Sequence, residues 1–267
     1  MMLRGVLAKT LRDQRRALVG WSVGVGLFCL LMVAYFPTIE QMGDDLQKLI
    51  ESYPPAMQAF FGDVSDLATG PGYLRAELFS LMFPILFLVY AIGRGADLLA
   101  GEEERGVLDV LLAHPVDRRR VVLEKAGGLA LGVLLLALVG FAVLAAGDVA
   151  LGMDVGAGRI AVAMVALTLL AVAFGALALA VGGLRGRKAL AVAVAASLAV
   201  AMYLVTSLGR LVEELDPLQP LSLYHHYEGA HGLSGPVDVV GLLVLALVAA
   251  AMVALAAWGF ERRDVGV

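Results

Sequence analysis

The chain has 267 residues, 60% of them hydrophobic and only 16% charged, with a net charge of −4. Ordinary soluble domains run roughly 45–50% apolar and about 25% charged. There is too little polar surface here for a soluble enzyme, and no nucleic-acid partner is expected. The single cysteine, Cys29, lies in an apolar run, which excludes a disulfide framework and a cysteine-based zinc site.

Residues 1–16 open the chain as a basic amphipathic stretch. Leu3, Val6, Leu7 and Leu11 share one helical face, and Arg4, Lys9, Arg12, Arg15 and Arg16 occupy the rest. Such a helix just before a span is expected to lie in the membrane interface, against lipid. Six apolar segments follow, at 17–39, 78–100, 126–148, 160–184, 189–209 and 239–260. Each is long enough for a helix to cross the roughly 30 Å hydrocarbon core. In lipid every backbone polar group must be satisfied within the segment, so these runs are read as helices. The predicted fold is therefore all-α, one polytopic transmembrane domain over residues 1–267. Pro37 is expected to help stop the first span and Pro84 to bend the second. Gly20/Gly24 and Gly128/Gly132 have the four-residue spacing of close helix contacts.

The loops carry further pattern. In 40–72, Leu46, Leu49, Ile50 and Tyr53 are helically spaced and end at Pro54. After the second span, residues 102–113 predict a short amphipathic helix. Glu102, Glu103 and Glu104 would open it, where acids suit the helix dipole. Leu108, Leu111 and Leu112 form its apolar stripe, and Pro115 ends it. Asp117 is the expected N-cap of the next helix, which begins with Arg118. Arg94 and Asp97, one turn apart near the end of the second span, are expected to pair with each other. In the loop 210–238, Tyr224 and Tyr227 would suit a membrane interface.

With six spans both termini share a side. That side holds 16 of the 20 basic residues and 10 of the 24 acids. Cytoplasmic loops carry the Lys/Arg excess, so both termini are expected to be cytoplasmic. No H-E-x-x-H and no phosphate-binding G-x-x-x-x-G-K-[ST] occurs. His225, His226 and His231 share one loop with only Glu228 near, a poor metal set. Ionisable residues are almost absent from the spans, whereas ion-driven carriers need them at mid-membrane. The energy for any active transport must then come from a partner.

The run from Glu102 through Gly106, Leu108, Leu111, Leu112 and Pro115 to Arg118 resembles the loop between spans two and three of type-2 permeases of ATP-binding-cassette exporters. Pro220–Tyr224 and Phe260–Asp264 are similar to that family's segment before the last span and to its C-terminal ending. Val107, Asp109, Asp117 and Leu223 depart from the family's usual residues. The resemblance implies two six-span permease subunits, alike or different, each docking one cytoplasmic nucleotide-binding ATPase subunit. ATP and Mg would belong to that subunit, with no cofactor in this chain, which would be a transport subunit rather than an enzyme. It implies that 102–113 is the coupling helix, that the N-terminal helix is the interfacial connecting helix, and that part of 210–235 dips back into the membrane. The setting would be a bacterial or archaeal plasma membrane. The competing readings are a polytopic membrane enzyme and a secondary carrier or channel.

Overall fold

A computed structural model describes residues 5–51, 53, 54, 69–108, 116–209, 212, 214–233 and 235–263, with the backbone alone over 42–51. Six helices long and apolar enough to cross a membrane run through it. They are α1 (Val6–Glu51), α2 (Gly70–Glu104), α3 (Arg118–Leu151), α4 (Ala157–Arg185), α5 (Lys188–Gly209) and α7 (Val239–Arg262). Between α5 and α7 lie a 3-10 turn, Asp216–Leu221, and the short helix α6, Leu223–Ala230. No strand occurs among the described residues. The protein is all-α and polytopic, as its apolar runs require.

Side-chain oxygens start four of these helices, and at the head of α2 the Thr69 hydroxyl accepts from the Gly72 N–H at 3.2 Å. Asp117 accepts from the Arg119 N–H at 3.0 Å, Ser222 from Tyr224 at 3.2 Å and Asp238 from Val240 at 2.9 Å. Each satisfies a donor that the first turn leaves open.

The first helix departs from expectation at both ends. Its 46 residues make a rod of about 69 Å, more than twice the hydrocarbon thickness. The basic stretch from Val6 onward runs unbroken into the span instead of forming an element of its own; Arg4 lies outside the described residues. Nor does Pro37 stop the helix, which continues to Glu51. A proline removes one backbone donor, and the other residues of the helix keep theirs. The helically spaced Leu46, Leu49 and Ile50 thus belong to the same helix as the first span.

α4 sits at the centre, packed against α2, α3, α5 and α7. Its approach to α2 is backbone to backbone. A methyl added at Gly95 would overlap the Gly175 carbonyl oxygen, and one at Gly175 would lie 2.9 Å from the Ala91 carbonyl oxygen. In lipid, where water does not drive helices together, such close contact is a main source of association. Gly128 and Gly132 of α3 instead leave room for side chains, Thr10 and Gln14 of α1 and Tyr90 of α2. Gly20 and Gly24 face open space instead and line an apolar groove between α1 and α2 with Trp21, Phe28 and Met82.

α2 is the irregular helix. Two π segments, Leu74–Met82 and Asp97–Gly101, flank its α-helical middle, Phe83–Ala96. Pro84 falls in the first turn of that middle, where proline is tolerated. The departure from α geometry therefore precedes Pro84. At the first π segment the Phe83 N–H bonds back to Leu78 O, bypassing the Phe79 carbonyl. The Tyr227 hydroxyl of α6 donates to that carbonyl at 2.8 Å.

Candidate functional site

The end of the bundle that carries Val6 and Arg262 gathers charged side chains around the exit of α2. After the π segment Asp97–Gly101 comes one α-turn, Glu102–Glu104. The chain then reverses at Gly106, whose φ is +67° and whose N–H donates to Glu103 O at 2.8 Å. A left-handed glycine just past a helix end is a C-terminal cap, since a side chain there would be strained. The three acids therefore close α2 and do not open the following helix, a correction to the expected 102–113 element.

Carboxylates at a helix C-terminus oppose its dipole, so these need partners, and each finds one on a different helix. Glu102 Oε2 lies 2.6 Å from Lys125 Nζ on α3. Glu103 pairs with Arg263, just beyond α7. Glu104 Oε1 accepts the Lys188 backbone N–H at 2.8 Å, where α5 begins. Asp97 adds a second layer. It meets Arg105 at 2.8 Å, Lys188 Nζ at 2.7 Å and Arg94 at 3.5 Å. The expected Arg94–Asp97 pair is present, but it is the longest of the three.

The neighbouring cations extend the network. Arg118 donates to Arg263 O at 2.7 Å and to Phe260 O at 3.4 Å, joining α3 to the end of α7. Arg119 pairs with Glu261. Glu124 accepts from Arg120 at 2.7 Å and from the Leu7 N–H at 2.9 Å, tying the start of α1 to α3. Lys9 is partly exposed, and Arg12, Arg15 and Arg16 are exposed. Lys125 is fully buried. Counting it only as a topology-setting cation misses its place inside the network.

Leu108 is also fully buried, covered by this chain's own residues, so it offers no contact to a partner. Leu111, Leu112 and Pro115 lie outside the described residues.

The other end holds α6 against the bundle. Tyr224 and Tyr227, expected at a membrane interface, are both buried. Burial pushes the Tyr227 phenol well above its usual pKa. His231 is buried beside the Tyr227 and Phe79 rings. Burial, and secondarily Arg75, lowers its pKa from 6.5 to about 4. No group of three His, Cys, Asp or Glu side chains that could hold a metal occurs among the described residues. Between α2 and α5 opens a cavity of about 470 Å³ with a nearly all-apolar lining that includes Ile85, Leu88, Ile92, Ala196, Tyr203 and Tyr224.

The six spans, the apolar cavity between α2 and α5 and the charge network at one end define a polytopic membrane bundle. The chain belongs to the ABC-2 family transporter proteins, which it matches over residues 5–265. Among the curated proteins none matches it. Membership makes it the permease of an ABC transporter, a transport chain and not itself catalytic.

Proposed function

We propose that the chain is the permease subunit of an exporter, working as a dimer with both termini in the cytoplasm. It is driven by separate ATP-hydrolysing subunits that dock on residues 102–113, the last turn of α2 and the segment beyond it, and that hold the ATP and Mg. One observation carries this reading: Glu102, Glu103 and Glu104 are joined to three different helices, α3, α7 and α5. A push on the residues immediately beyond is thereby delivered to half of the bundle at once, as a coupling element requires. The excess of basic residues on this side supports its cytoplasmic placement. The apolar cavity between α2 and α5 is of the size that holds small ligands, and its lining suits a hydrophobic or amphipathic cargo.

The test is to purify the tagged full-length chain from its native membrane in mild detergent. The expected result is that a P-loop ATPase subunit comes with it, that the complex hydrolyses ATP, and that the chain stripped of that subunit does not. Recovery without any ATPase, or hydrolysis by the chain alone, contradicts the reading.

A further inference from the structure

The π segment Asp97–Gly101 holds one residue more per turn than an α-helix would. At its end the Glu102 N–H reaches Asp97 O and Leu99 O, so the bond it would make to Leu98 O in an α-helix is not made. A buried carbonyl left this way costs free energy unless another donor replaces the bond. The donor is Lys125 Nζ on α3, 2.6 Å from Leu98 O. The same ammonium lies 2.6 Å from Glu102 Oε2, the first residue past the π segment. Lys125 thus grips α2 on both sides of the extra residue. Its side chain is only 1% exposed, and a buried lysine is retained charged only when it is paired and hydrogen-bonded. The arrangement repeats at the other π segment of α2, where the Tyr227 hydroxyl takes the bypassed Phe79 carbonyl.

Short π segments inside α-helices mark functional positions more often than chance, and this one stands immediately before the three anchoring acids. Converting it to α geometry without deleting a residue would turn everything beyond it by about 100° and lengthen the helix by about 1.5 Å. Residue 103 would then stand where residue 104 stands now. We propose that Lys125 is a positioning residue: by holding the π segment it sets the rotational register in which α2 presents the segment beyond Glu104 to the ATPase subunit. The inference rests on the coupling role proposed for that segment, but the register itself is a property of this chain alone.

Cysteine cross-linking reads the register directly. On a Cys29→Ala background, Arg187→Cys is combined in turn with Glu103→Cys, Glu104→Cys or Arg105→Cys. The full-length chain is treated with a short bis-methanethiosulfonate reagent. With Lys125 present, the pair 104–187 should link best, because Glu104 already reaches the Lys188 N–H. Replacing Lys125 and its partner together, Lys125→Met with Glu102→Gln, avoids leaving one buried charge unpaired. In that background the strongest link should move from 104 to 103. Deleting Ala100 removes the extra residue itself, so the deletion combined with Lys125→Met and Glu102→Gln should restore the link at 104. A link that stays at 104 in the double variant overturns the inference. Loss of all three links, with a chain no longer monodisperse in detergent, also overturns it by making Lys125 a support of the fold only. A link that moves to 103 while ATP-driven transport stays unchanged leaves the register standing but contradicts the coupling role of the segment.

Discussion

Asp97 and Lys188 are 91 residues apart in the chain, and their side chains meet at 2.7 Å. The pair closes the end of α2 onto the start of α5, and Arg105 donates to the same oxygen, Asp97 Oδ1, at 2.8 Å and to Oδ2 at 3.3 Å. Asp97 is mostly buried while Lys188 is 40% exposed, so the loss of the acid matters more than the loss of the lysine. Asp97→Ala leaves cations facing one another and should cost about 2 kcal/mol, the range for hydrogen bonds to charged groups. Lys188→Ala should cost about 1 kcal/mol or less, because its head is screened by water. Thermal melts of the detergent-solubilised chain, read as loss of the monodisperse peak, check both. The double variant should fall short of the sum if the two act as a pair.

Gly95 and Gly93 make a matched comparison on one helix. A methyl at Gly95 meets the Gly175 backbone, which cannot rotate away, whereas nothing lies within 4 Å of a methyl at Gly93. Gly95→Ala should destabilise the α2–α4 contact by about 1–3 kcal/mol, as overpacking does. Gly93→Ala should be neutral or slightly stabilising. Equal melting temperatures for the two variants would contradict the close packing described.

Tyr227→Phe removes a hydroxyl and little else. The Phe79 carbonyl then loses the donor that replaces its helical bond. An unsatisfied buried carbonyl costs about 1–3 kcal/mol, so a clear drop in melting temperature is expected. A variant as stable as the parent would mean that the first π segment needs no external donor.

His231 gives the chain an acid-side weakness. Its pKa is lowered from 6.5 to about 4 in the folded state, by burial first and Arg75 second. The unfolded chain therefore binds the proton more readily. The stability contributed by the neutral ring is present above pH 6.5 and is lost as the pH falls from 6.5 toward 4. Melting temperature should decline through that window, and His231→Gln should flatten the part of the decline that belongs to this residue. An unchanged profile in the variant would assign the acid sensitivity elsewhere.

The spans were legible because an uncharged run of twenty residues has one physical solution in lipid. Their ends were less so. The apolar run predicts the second span from Leu78, but α2 begins at Gly70, and near that end the Tyr73 hydroxyl donates to Met32 O on α1; α3 begins at Arg118 behind Asp117, where the sequence places it. Gly106 was readable in principle. An acidic turn followed by Arg and Gly has the form of a helix end, but the leucine stripe beyond it has the spacing of a helix and masks that end. The π segments left no trace, since a one-residue slip within a uniformly apolar helix moves no polar residue to a telling place. Lys125 looked like any cation at the mouth of a span. Its burial depends on the Leu98 carbonyl, 27 positions away, and on Glu102, and no local pattern encodes either. The pairing of Glu103 with Arg263 spans 160 positions and is equally invisible without the fold.

The segment beyond α2 is proposed to carry the contact with the ATPase subunit. Of the stripe Leu108, Leu111 and Leu112, Leu108 is buried within the chain, which leaves Leu111 and Leu112 as the leucines proposed to provide it. Burying a leucine against a partner contributes about 1.5–3 kcal/mol, whereas a buried unpaired carboxylate is strongly unfavourable. The decisive measurement is recovery of the ATPase subunit by the full-length chain bearing Leu111→Asp and Leu112→Asp, purified beside the parent in the same detergent. The variant should reach the membrane and remain monodisperse, yet retain less than a tenth of the parent's ATPase subunit, about 1.4 kcal/mol or more of lost affinity. Full recovery of the subunit by a well-expressed variant would contradict the account.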